Sequence, residues 1–370
     1  MIGDRTREAL NLLCYNGATL DRIGGAMEFA RRTKTTEFLV PSRQFGSEVQ
    51  TIEYRLDPLT GSEARLNLRR ARRVKQAQRT GADLSLVLEG SKADCFFCPE
   101  NMESQTPEFP PALSPEGRIR KGECVVFPNL FPFARYHAVG TLTARHYLDL
   151  DEFTPEMLSN NLAATREYLA RVHGLNPGTR YPMWIWNHMP PSGASVIHPH
   201  VQIVVDCSPA PEVERVLQGG EQYLRTHGVS YWDDLVGRER ELGERYIGEN
   251  ESLVVLASYA PRGNRDVQLV FKNASGIAGL DEKQTTDFSK AIVQVLRGYK
   301  EMGVDSFNLV TYSGPIGEEL PYHRLSARVI SRPGFHPFYT SDCGFMERFF
   351  DVWVIESLPE DVAKGMRHLF

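Results

Sequence analysis

Hydrophobic and polar positions along this chain of 370 residues follow two periods, one typical of strands and one typical of helices. Runs rich in β-branched and aromatic residues predict strands at 123–127, 138–143, 183–187 and after His198. Helical periodicity predicts a helix at 155–173, which Thr154-Pro155-Glu156 opens.

The same order of elements returns in the second half of the chain. After a predicted helix at 211–227, the pattern indicates two strands, a helix, two more strands and a terminal helix, at 252–258, 267–271, 281–302, 306–312, 325–331 and 358–368. Strand, strand, helix, strand, strand thus occurs twice. The pattern therefore predicts an α+β protein of two similar half-domains, each with an antiparallel sheet flanked by helices.

The pattern also divides the chain into three predicted regions. Apolar positions at helical spacing over 4–34 predict an N-terminal helical extension, with bounds of 1–48. Residues 49–210 form the first half-domain and residues 211–370 the second. The polar, proline-rich stretch at 99–118 is predicted to be a loop.

Composition and charge indicate which partners and which cellular compartment to expect for this protein. The formal net charge of −5 gives no reason to expect nucleic acid as a partner. No apolar run reaches membrane-spanning length, and the N-terminus starts polar without the apolar region of a signal peptide. We therefore expect a cytoplasmic protein that binds neither nucleic acid nor a membrane.

The pentapeptide His198-Pro199-His200-Val201-Gln202 is the strongest candidate for chemistry. It enters a strand-like run, so His198, His200 and Gln202 should share one face. The alternative is that both histidines are satisfied structural residues. Two imidazoles and an amide on one face favour a phosphate-handling site in which one imidazole is fixed and the other is free to attack phosphorus. No role is predicted for six further histidines, namely His137, His173, His188, His227, His336 and His368.

Cys95 and Cys98 form a C-x-x-C pair that supplies two thiolates. Tetrahedral zinc needs two more ligands, and His146 and His198, which flank predicted strands, are the natural candidates. A redox pair is the alternative, and it would require the motif to begin a helix after a strand, which Pro99-Glu100-Asn101 does not suggest.

These motifs together resemble the galactose-1-phosphate uridylyltransferase family of the histidine-triad superfamily, with features of the ADP-glucose and diadenosine tetraphosphate phosphorylases. The resemblance runs from about residue 52 to the C-terminus and is stronger in the first half. It is carried, in chain order, by Arg55–Gly61, Arg70–Arg73, Cys95–Asn101, Asn129–Pro132, His146, Asn187, Gly193–Ser195 and His198–Gln202.

The resemblance implies two histidine-triad-like half-domains and a role for each matching residue. Zinc would be held by Cys95, Cys98, His146 and His198, and His200 would be the nucleophile. Gln202 and Ser195 would assist catalysis at the phosphate. Substrate contacts would come from Arg70, Arg73, Asn129, Phe131, Asn187 and Gly193. The family also often forms homodimers, so a homodimer is expected.

The second half departs from the family pattern. Ser326 and Arg328 stand where histidines of a second metal site would fall, and Tyr312 stands where another histidine is expected. We therefore predict that the second metal site is absent, with His323 as a remnant at most. Leu130 replaces an acidic residue typical of the uridylyltransferases, which weakens the case for uridine.

The leading functional prediction is transfer of a nucleoside monophosphate from a nucleoside diphosphate sugar to a sugar 1-phosphate, through a covalent nucleotidyl-histidine. The alternatives are a phosphorylase that passes AMP from ADP-glucose or diadenosine tetraphosphate to inorganic phosphate, and a non-catalytic nucleotide-binding protein. A hydrolase is disfavoured because hydrolytic relatives usually carry a third histidine where Gln202 stands.

Overall fold

The computed structural model describes Met27 and residues 29–72, 84–336 and 339–370. Most of the predicted N-terminal helical extension therefore lies outside the described residues. The described residues form fourteen strands, and these are β1 Arg31–Val40, β2 Gly46–Leu56, β3 Glu63–Leu66, β4 Ile119–Lys121, β5 Cys124–Pro128, β6 Tyr136–Thr141, β7 Tyr181–His188, β8 His200–Asp206, β9 Tyr246–Glu249, β10 Leu253–Ala257, β11 Asn264–Phe271, β12 Phe307–Tyr312, β13 Ser326–Ser331 and β14 Val352–Ile355.

Eight α-helices connect and cover these strands within the same described ranges. They are α1 Leu84–Ala93, α2 Pro99–Gln105, α3 Pro155–Leu175, α4 Pro211–His227, α5 Tyr231–Leu242, α6 Glu282–Glu301, α7 Phe345–Phe350 and α8 Pro359–Met366. The two long helices begin at strong caps. The Thr154 hydroxyl accepts a hydrogen bond from the Met157 amide at the start of α3, and Asp281 and Gln284 form a reciprocal capping box at the start of α6.

The main sheet of the described chain has ten strands in the order β4-β5-β6-β8-β7-β12-β13-β11-β10-β9. Every neighbouring pair is antiparallel. Counted from each edge of the sheet toward its centre, the two sets of five strands have the same order, namely β4, β5, β6, β8, β7 and β9, β10, β11, β13, β12. The two sets meet where β7 pairs with β12. The predicted α+β class is confirmed. The predicted order of strand, strand, helix, strand, strand occurs in both halves, but each half has one further strand before it, β4 or β9, and the two halves share one sheet.

One face of this sheet is covered by α3 and α6, which also contact each other. Trp184 and Trp186 on β7 and Val201 and Ile203 on β8 point into this core together with Phe288 of α6, and all five are fully buried. Because strand side chains alternate, His200 and Gln202 must face the opposite side of the sheet.

The opposite face is covered differently in the two halves. In the second half, Tyr231, Trp232 and Leu235 of α5 pack with Val254 of β10 and Val270 of β11. In the first half, the described residues that cover the strands form a small cluster around Cys95, Phe97, Cys98 and Phe127. The first half therefore retains room for a cavity beside β8.

A second sheet of four strands, in the order β1-β2-β3-β14, joins the two ends of the described chain. The pair of β3 and β14 is parallel, with Glu63 opposite Val352 and Leu66 opposite Ile355. None of the helices in the described residues is long and apolar enough to cross a membrane.

Two predictions of local structure were wrong. Within residues 31–48 of the predicted N-terminal helical extension, residues 31–40 form β1, a 3-10 turn follows at Pro41–Arg43, and β2 begins at Gly46. Thr33, Thr35 and Thr36 favour extended backbone, and β1 pairs with β2 along its whole length. The stretch 99–118 is not all loop, because Pro99 opens α2 at the first helical position.

Candidate metal and nucleotide site

Cys95, Cys98, His146 and His198 come together as a buried cluster. Their ligand atoms all lie within 4.8 Å of one another. Nδ1 of His198 is 3.8 Å from Sγ of Cys95 and 3.6 Å from Sγ of Cys98, and Nδ1 of His146 is 3.5 Å from Sγ of Cys98. The cluster joins the turn between α1 and α2 to the two segments that follow β6 and precede β8.

Local sequence builds the cysteine turn. The Cys98 amide donates to the Cys95 carbonyl at 3.2 Å, and Cys98 is the residue that caps α2. The Asn101 side-chain amide also donates to the Cys95 carbonyl, at 3.0 Å. This bond explains why an asparagine three residues after the second cysteine accompanies the pair, since it closes the turn from the helix side.

Each histidine of the cluster has its second ring nitrogen occupied. Nε2 of His198 is 2.9 Å from the Thr143 carbonyl, and Nε2 of His146 is 2.8 Å from Oγ of Ser91. A carbonyl accepts only, so Nε2 of His198 carries the proton and its Nδ1 lone pair faces the thiols. Such outer partners are the usual way in which proteins orient metal-binding imidazoles.

The protonation states and distances of the cluster fit a metal. Burial lowers the pKa of His198 to about 4, so its imidazole is neutral at pH 7. Burial, reinforced by Cys95, raises the pKa of the Cys98 thiol to about 12, so two thiolates need a cation between them. Zinc bonds of about 2.3 Å to sulfur and about 2.05 Å to nitrogen place tetrahedral sulfur and nitrogen ligands about 3.6 Å apart, as seen here. The cluster can therefore hold a tetrahedral metal ion.

His200 lies at the start of β8, two residues beyond the cluster. Its Nδ1 is 2.8 Å from the carbonyl oxygen of His198, which fixes the proton on Nδ1. Nε2 of His200 has no hydrogen-bond partner among the residues the structure describes. Burial lowers the pKa of His200, against the opposing effect of its hydrogen bond, so the ring is neutral near pH 7. A neutral imidazole with one unprotonated nitrogen is the nucleophilic form.

His200 lines a cavity of about 260 Å³ on the open face of the first half. Gln202, Ser195 and Asn129 also line this cavity. No carboxylate, lysine or arginine is among its described lining residues, and the wall is dominated by aromatic rings, namely Phe96, Phe97, Phe127, Phe131 and Phe133. A neutral aromatic cavity suits a planar base, because aromatic rings can stack on the face of such a base or contact its edge.

Phe97 links the metal cluster to the nucleophile. It lies between the two cysteines, and its ring centroid is 6.2 Å from that of His198 and 5.2 Å from that of His200. The ring also packs edge-on against Phe127 of β5. Closing the cysteine turn therefore sets one wall of the cavity and one side of the His200 ring.

Three polar side chains meet in the cavity around His137. Its Nε2 is 2.8 Å from Oε1 of Gln202 and 3.0 Å from Nδ2 of Asn129. The amide of Phe131 donates to Oδ1 of Asn129 at 2.9 Å. His137 is a residue that the sequence pattern did not single out, because only the pairing of β6 with β8 places it beside Gln202.

The structure places the other predicted residues at varying distances from this cavity. Ser195 is exposed and lines it, whereas Gly193, with a positive φ of 94°, forms the end of the preceding 3-10 turn. Oδ1 of Asn187 accepts from Asn308 of β12 at 2.6 Å, outside the cavity lining. Arg70 lines a separate cavity with Asp342 and Phe345, and Arg73 lies outside the described residues.

In the second half, an arginine that pairs with two aspartates fills the equivalent place. On β13, Ser326 and Arg328 occupy the positions that His200 and Gln202 have on β8. The Arg328 guanidinium donates to Asp57 and Asp266, each at 3.2 Å. No second cluster of three or more metal-ligating side chains occurs in the described ranges. Nε2 of the buried His323 lies 3.2 Å from the Tyr312 carbonyl.

Two known proteins are similar to this chain in sequence. A galactose-1-phosphate uridylyltransferase of Streptomyces lividans is 25% identical over 273 residues, which cover 72% of this chain and 70% of that protein. The chain is related to the galactose-1-phosphate uridylyltransferases. An uncharacterized protein of Archaeoglobus fulgidus is 27% identical over 353 residues, covering 93% of this chain and 99% of that protein. No protein-family model matches.

Solved structures show that the uridylyltransferase fold is shared. The crystal structure of an ADP-glucose phosphorylase from Arabidopsis thaliana with bound ADP-glucose matches with a TM-score of 0.67 and 19% identity, covering 85% of this chain and 98% of that one. A uridylyltransferase structure matches with a TM-score of 0.62 at the same identity and coverage. The predicted histidine-triad-like fold of the uridylyltransferase relatives is thereby confirmed.

Proposed function

We propose that this protein transfers a nucleoside monophosphate from a nucleoside diphosphate sugar to a sugar 1-phosphate through a covalent intermediate on His200. The observation that carries the proposal is the His200 ring, whose Nδ1 is held by the His198 carbonyl while the ring lines an aromatic cavity beside Gln202. The relation to nucleotidyltransferases and phosphorylases supports the same chemistry.

The reaction takes place in two displacements. Nε2 of His200 attacks the α-phosphorus, the bond from that phosphorus to the bridging oxygen breaks, and the sugar 1-phosphate leaves with the electron pair. The nucleotidylated ring is a cation that keeps its Nδ1 proton, and the His198 carbonyl stabilises that proton through its hydrogen bond. A phosphate oxygen of the acceptor then attacks the same phosphorus and the phosphorus–nitrogen bond breaks. Ping-pong kinetics follow.

Gln202 and Ser195 supply neutral donors near the reacting phosphate in this proposal. Asn129 and Phe131 contact the nucleoside, and the rings of the cavity wall stack on or against its base. Arg70, Arg73, Asn187 and Gly193 are carried over from the family resemblance as further substrate contacts. A homodimer is likewise expected from the resemblance.

Zinc is the metal we propose for Cys95, Cys98, His146 and His198. With four protein ligands it has no open position, so its contribution is structural. The two histidines of the motif have different roles, one at the metal and one at the phosphate. His198 is held by the cluster, and its carbonyl in turn holds His200, so the metal site fixes the nucleophile through one residue of backbone.

A second candidate is an adenylyl-transferring phosphorylase that uses inorganic phosphate on ADP-glucose or diadenosine tetraphosphate. Leu130, which is 64% exposed at the cavity rim, favours it, because the uridylyltransferases are expected to have an acidic residue there. The absence of any charged side chain among the described lining residues agrees with recognition of the base by stacking.

One labelling experiment tests both candidates. The protein is incubated with α-³²P-labelled UDP-glucose, ADP-glucose or diadenosine tetraphosphate, and acid-labile, base-stable label on the chain is measured. We expect one donor to label the wild type and His227→Ala, whose histidine is exposed on α4, and to leave His200→Ala unlabelled. The labelling donor identifies the base. Glucose 1-phosphate releases the label from either enzyme by reversing the first step, so the second acceptor separates the candidates: release by inorganic phosphate indicates the phosphorylase, and release by galactose 1-phosphate but not by inorganic phosphate indicates the transferase.

The contrary results are equally specific. No label from any of the three donors would refute the covalent mechanism for these substrates and would favour a non-catalytic nucleotide-binding protein. Label retained in His200→Ala would place the nucleophile elsewhere. Metal analysis that finds about one zinc per chain, lost in Cys95→Ser, would support the cluster as the zinc site.

A further inference from the structure

His137 is a buried histidine that neither the motif nor the proposed reaction uses. It lies on β6 opposite Val204 of β8, next to the pair formed by Val139 and Gln202. Side chains two residues apart on a strand share a face, so His137 faces the same cavity as Gln202. Its ring is 4% exposed and packs against Phe133 with a centroid distance of 4.2 Å.

The contacts of His137 determine where its proton lies. The Phe133 amide approaches Nδ1 at 3.4 Å, and an N–H can donate only to an unprotonated nitrogen. Nε2 then carries the proton and donates it to Oε1 of Gln202 at 2.8 Å. Burial lowers the pKa of His137, so this neutral tautomer is the form present near pH 7.

The same proton fixes which end of the Gln202 amide faces the substrate. A glutamine carboxamide presents an acceptor oxygen on one side and an NH₂ donor on the other. When Oε1 is held by His137, the NH₂ group is the end that remains, and it makes no hydrogen bond within the described part of the chain. A phosphoryl oxygen is attracted to that NH₂ group and would be repelled by Oε1.

Asn129 competes for the same nitrogen. Its orientation is set by the Phe131 amide, which donates to Oδ1, so Nδ2 of Asn129 faces Nε2 of His137 at 3.0 Å. Because Nε2 either carries a proton or accepts one, only one of its two contacts is a hydrogen bond at a time. With the proton on Nε2, Gln202 is engaged and the amide NH₂ of Asn129 is left for a ligand.

We propose that His137 is a positioning residue that fixes the Gln202 carboxamide with its NH₂ group toward the α-phosphoryl group. The inference rests on the proposed function of the site and concerns how Gln202 is made a donor. His137 does not touch the reacting atoms. It acts through the Gln202 amide alone.

The test is a double-mutant cycle on single-turnover nucleotidylation. His137→Phe keeps an aromatic ring beside Phe133 and removes the donor, whereas His137→Gln restores an N–H at a similar reach. We expect His137→Phe to slow labelling of His200 by about 10- to 100-fold, less than removal of an oxyanion donor itself can cost, and His137→Gln to recover most of the rate. In a Gln202→Ala background, His137→Phe should change the rate less than about twofold.

A second measurement needs no activity. Nitrogen-15 NMR of the histidine rings should show a neutral His137 with its proton on Nε2, assigned by its loss in His137→Phe, and this signal should shift in Gln202→Ala. A proton on Nδ1 would overturn the inference. So would equal slowing by His137→Phe in the wild-type and Gln202→Ala backgrounds. If no donor labels the wild type, the proposed function fails, whereas the position of the His137 proton still tests whether His137 holds the Oε1 end of the Gln202 amide.

Discussion

The hydroxyl of Ser91 on α1 holds one of the two histidines of the metal cluster. Its Oγ donates to the Leu88 carbonyl at 3.0 Å, so its proton is already committed. The same oxygen lies 2.8 Å from Nε2 of His146 and must accept that nitrogen's proton. His146 is thereby left with an unprotonated Nδ1, 3.5 Å from Sγ of Cys98.

Ser91→Ala removes this acceptor without touching a metal ligand. Loss of an outer partner of a metal-bound histidine typically weakens metal binding by about 10- to 100-fold. Ser91 is half-buried, so water can replace part of the lost interaction and we expect the lower end of this range. A tenfold loss corresponds to about 1.4 kcal/mol of metal-binding free energy.

The assay is competition for zinc between the protein and a chromophoric chelator at pH 7.5. Ser104→Ala is the matched control, because Ser104 is exposed on the adjacent helix α2 and its hydroxyl contacts only the Asn101 carbonyl among the described residues. The zinc dissociation constant should rise about tenfold in Ser91→Ala and stay unchanged in Ser104→Ala. Equal constants for Ser91→Ala and the wild type would refute the role given to Ser91.

Two further substitutions test buried titratable side chains of the fold. Burial lowers the pKa of His188 to about 3. Below about pH 6.5 this histidine is therefore protonated in the unfolded chain but not in the folded chain, so the unfolding free energy decreases as the pH is lowered. His188→Phe should therefore reduce the loss of unfolding free energy between pH 7.5 and 5.5 by about 1.4 kcal/mol in urea titrations. Arg328→Leu should lower the unfolding free energy by about 3–5 kcal/mol, because it leaves Asp57 and Asp266 buried without their partner.

Each of these substitutions has its own contrary result. Identical acid sensitivity of the wild type and His188→Phe would show that His188 does not carry the pH dependence. For Arg328, the comparison is Arg145→Leu, which breaks an exposed pair with Glu152 and should cost at most about 1 kcal/mol. A similar cost for both arginine substitutions would contradict the argument that burial makes the difference.

Regular periodicity made the repeated core of the protein predictable from sequence. The helix predicted at 211–227 is α4, and the strands predicted at 306–312 and 325–331 begin within one residue of β12 and β13. These elements bury one face against the core, so hydrophobic position and secondary structure agree. The cluster of Cys95, Cys98, His146 and His198 was likewise predictable, since a metal-binding C-x-x-C pair needs two further ligands and histidines at strand ends can supply them.

What the sequence did not predict depends on how strands pair. β1 and β14 carry few buried residues, and both are held by hydrogen bonds to partner strands that no local pattern identifies. Within the site, the contact between His137 and Gln202 likewise depends on strand pairing. It follows from the register of β6 against β8, and a single sequence contains no record of register.

The shared ten-stranded sheet has a consequence for how the chain can be divided. β7 is an interior strand, and its partner on one side is β12 of the second half, with His188 opposite Phe307 and Trp186 opposite Leu309. A fragment that ended at residue 210 would expose this edge as a row of unpaired amides and carbonyls beside large apolar side chains, which is a template for aggregation. The second half therefore protects the edge of the first half from pairing with other chains, a role that is independent of any ligand.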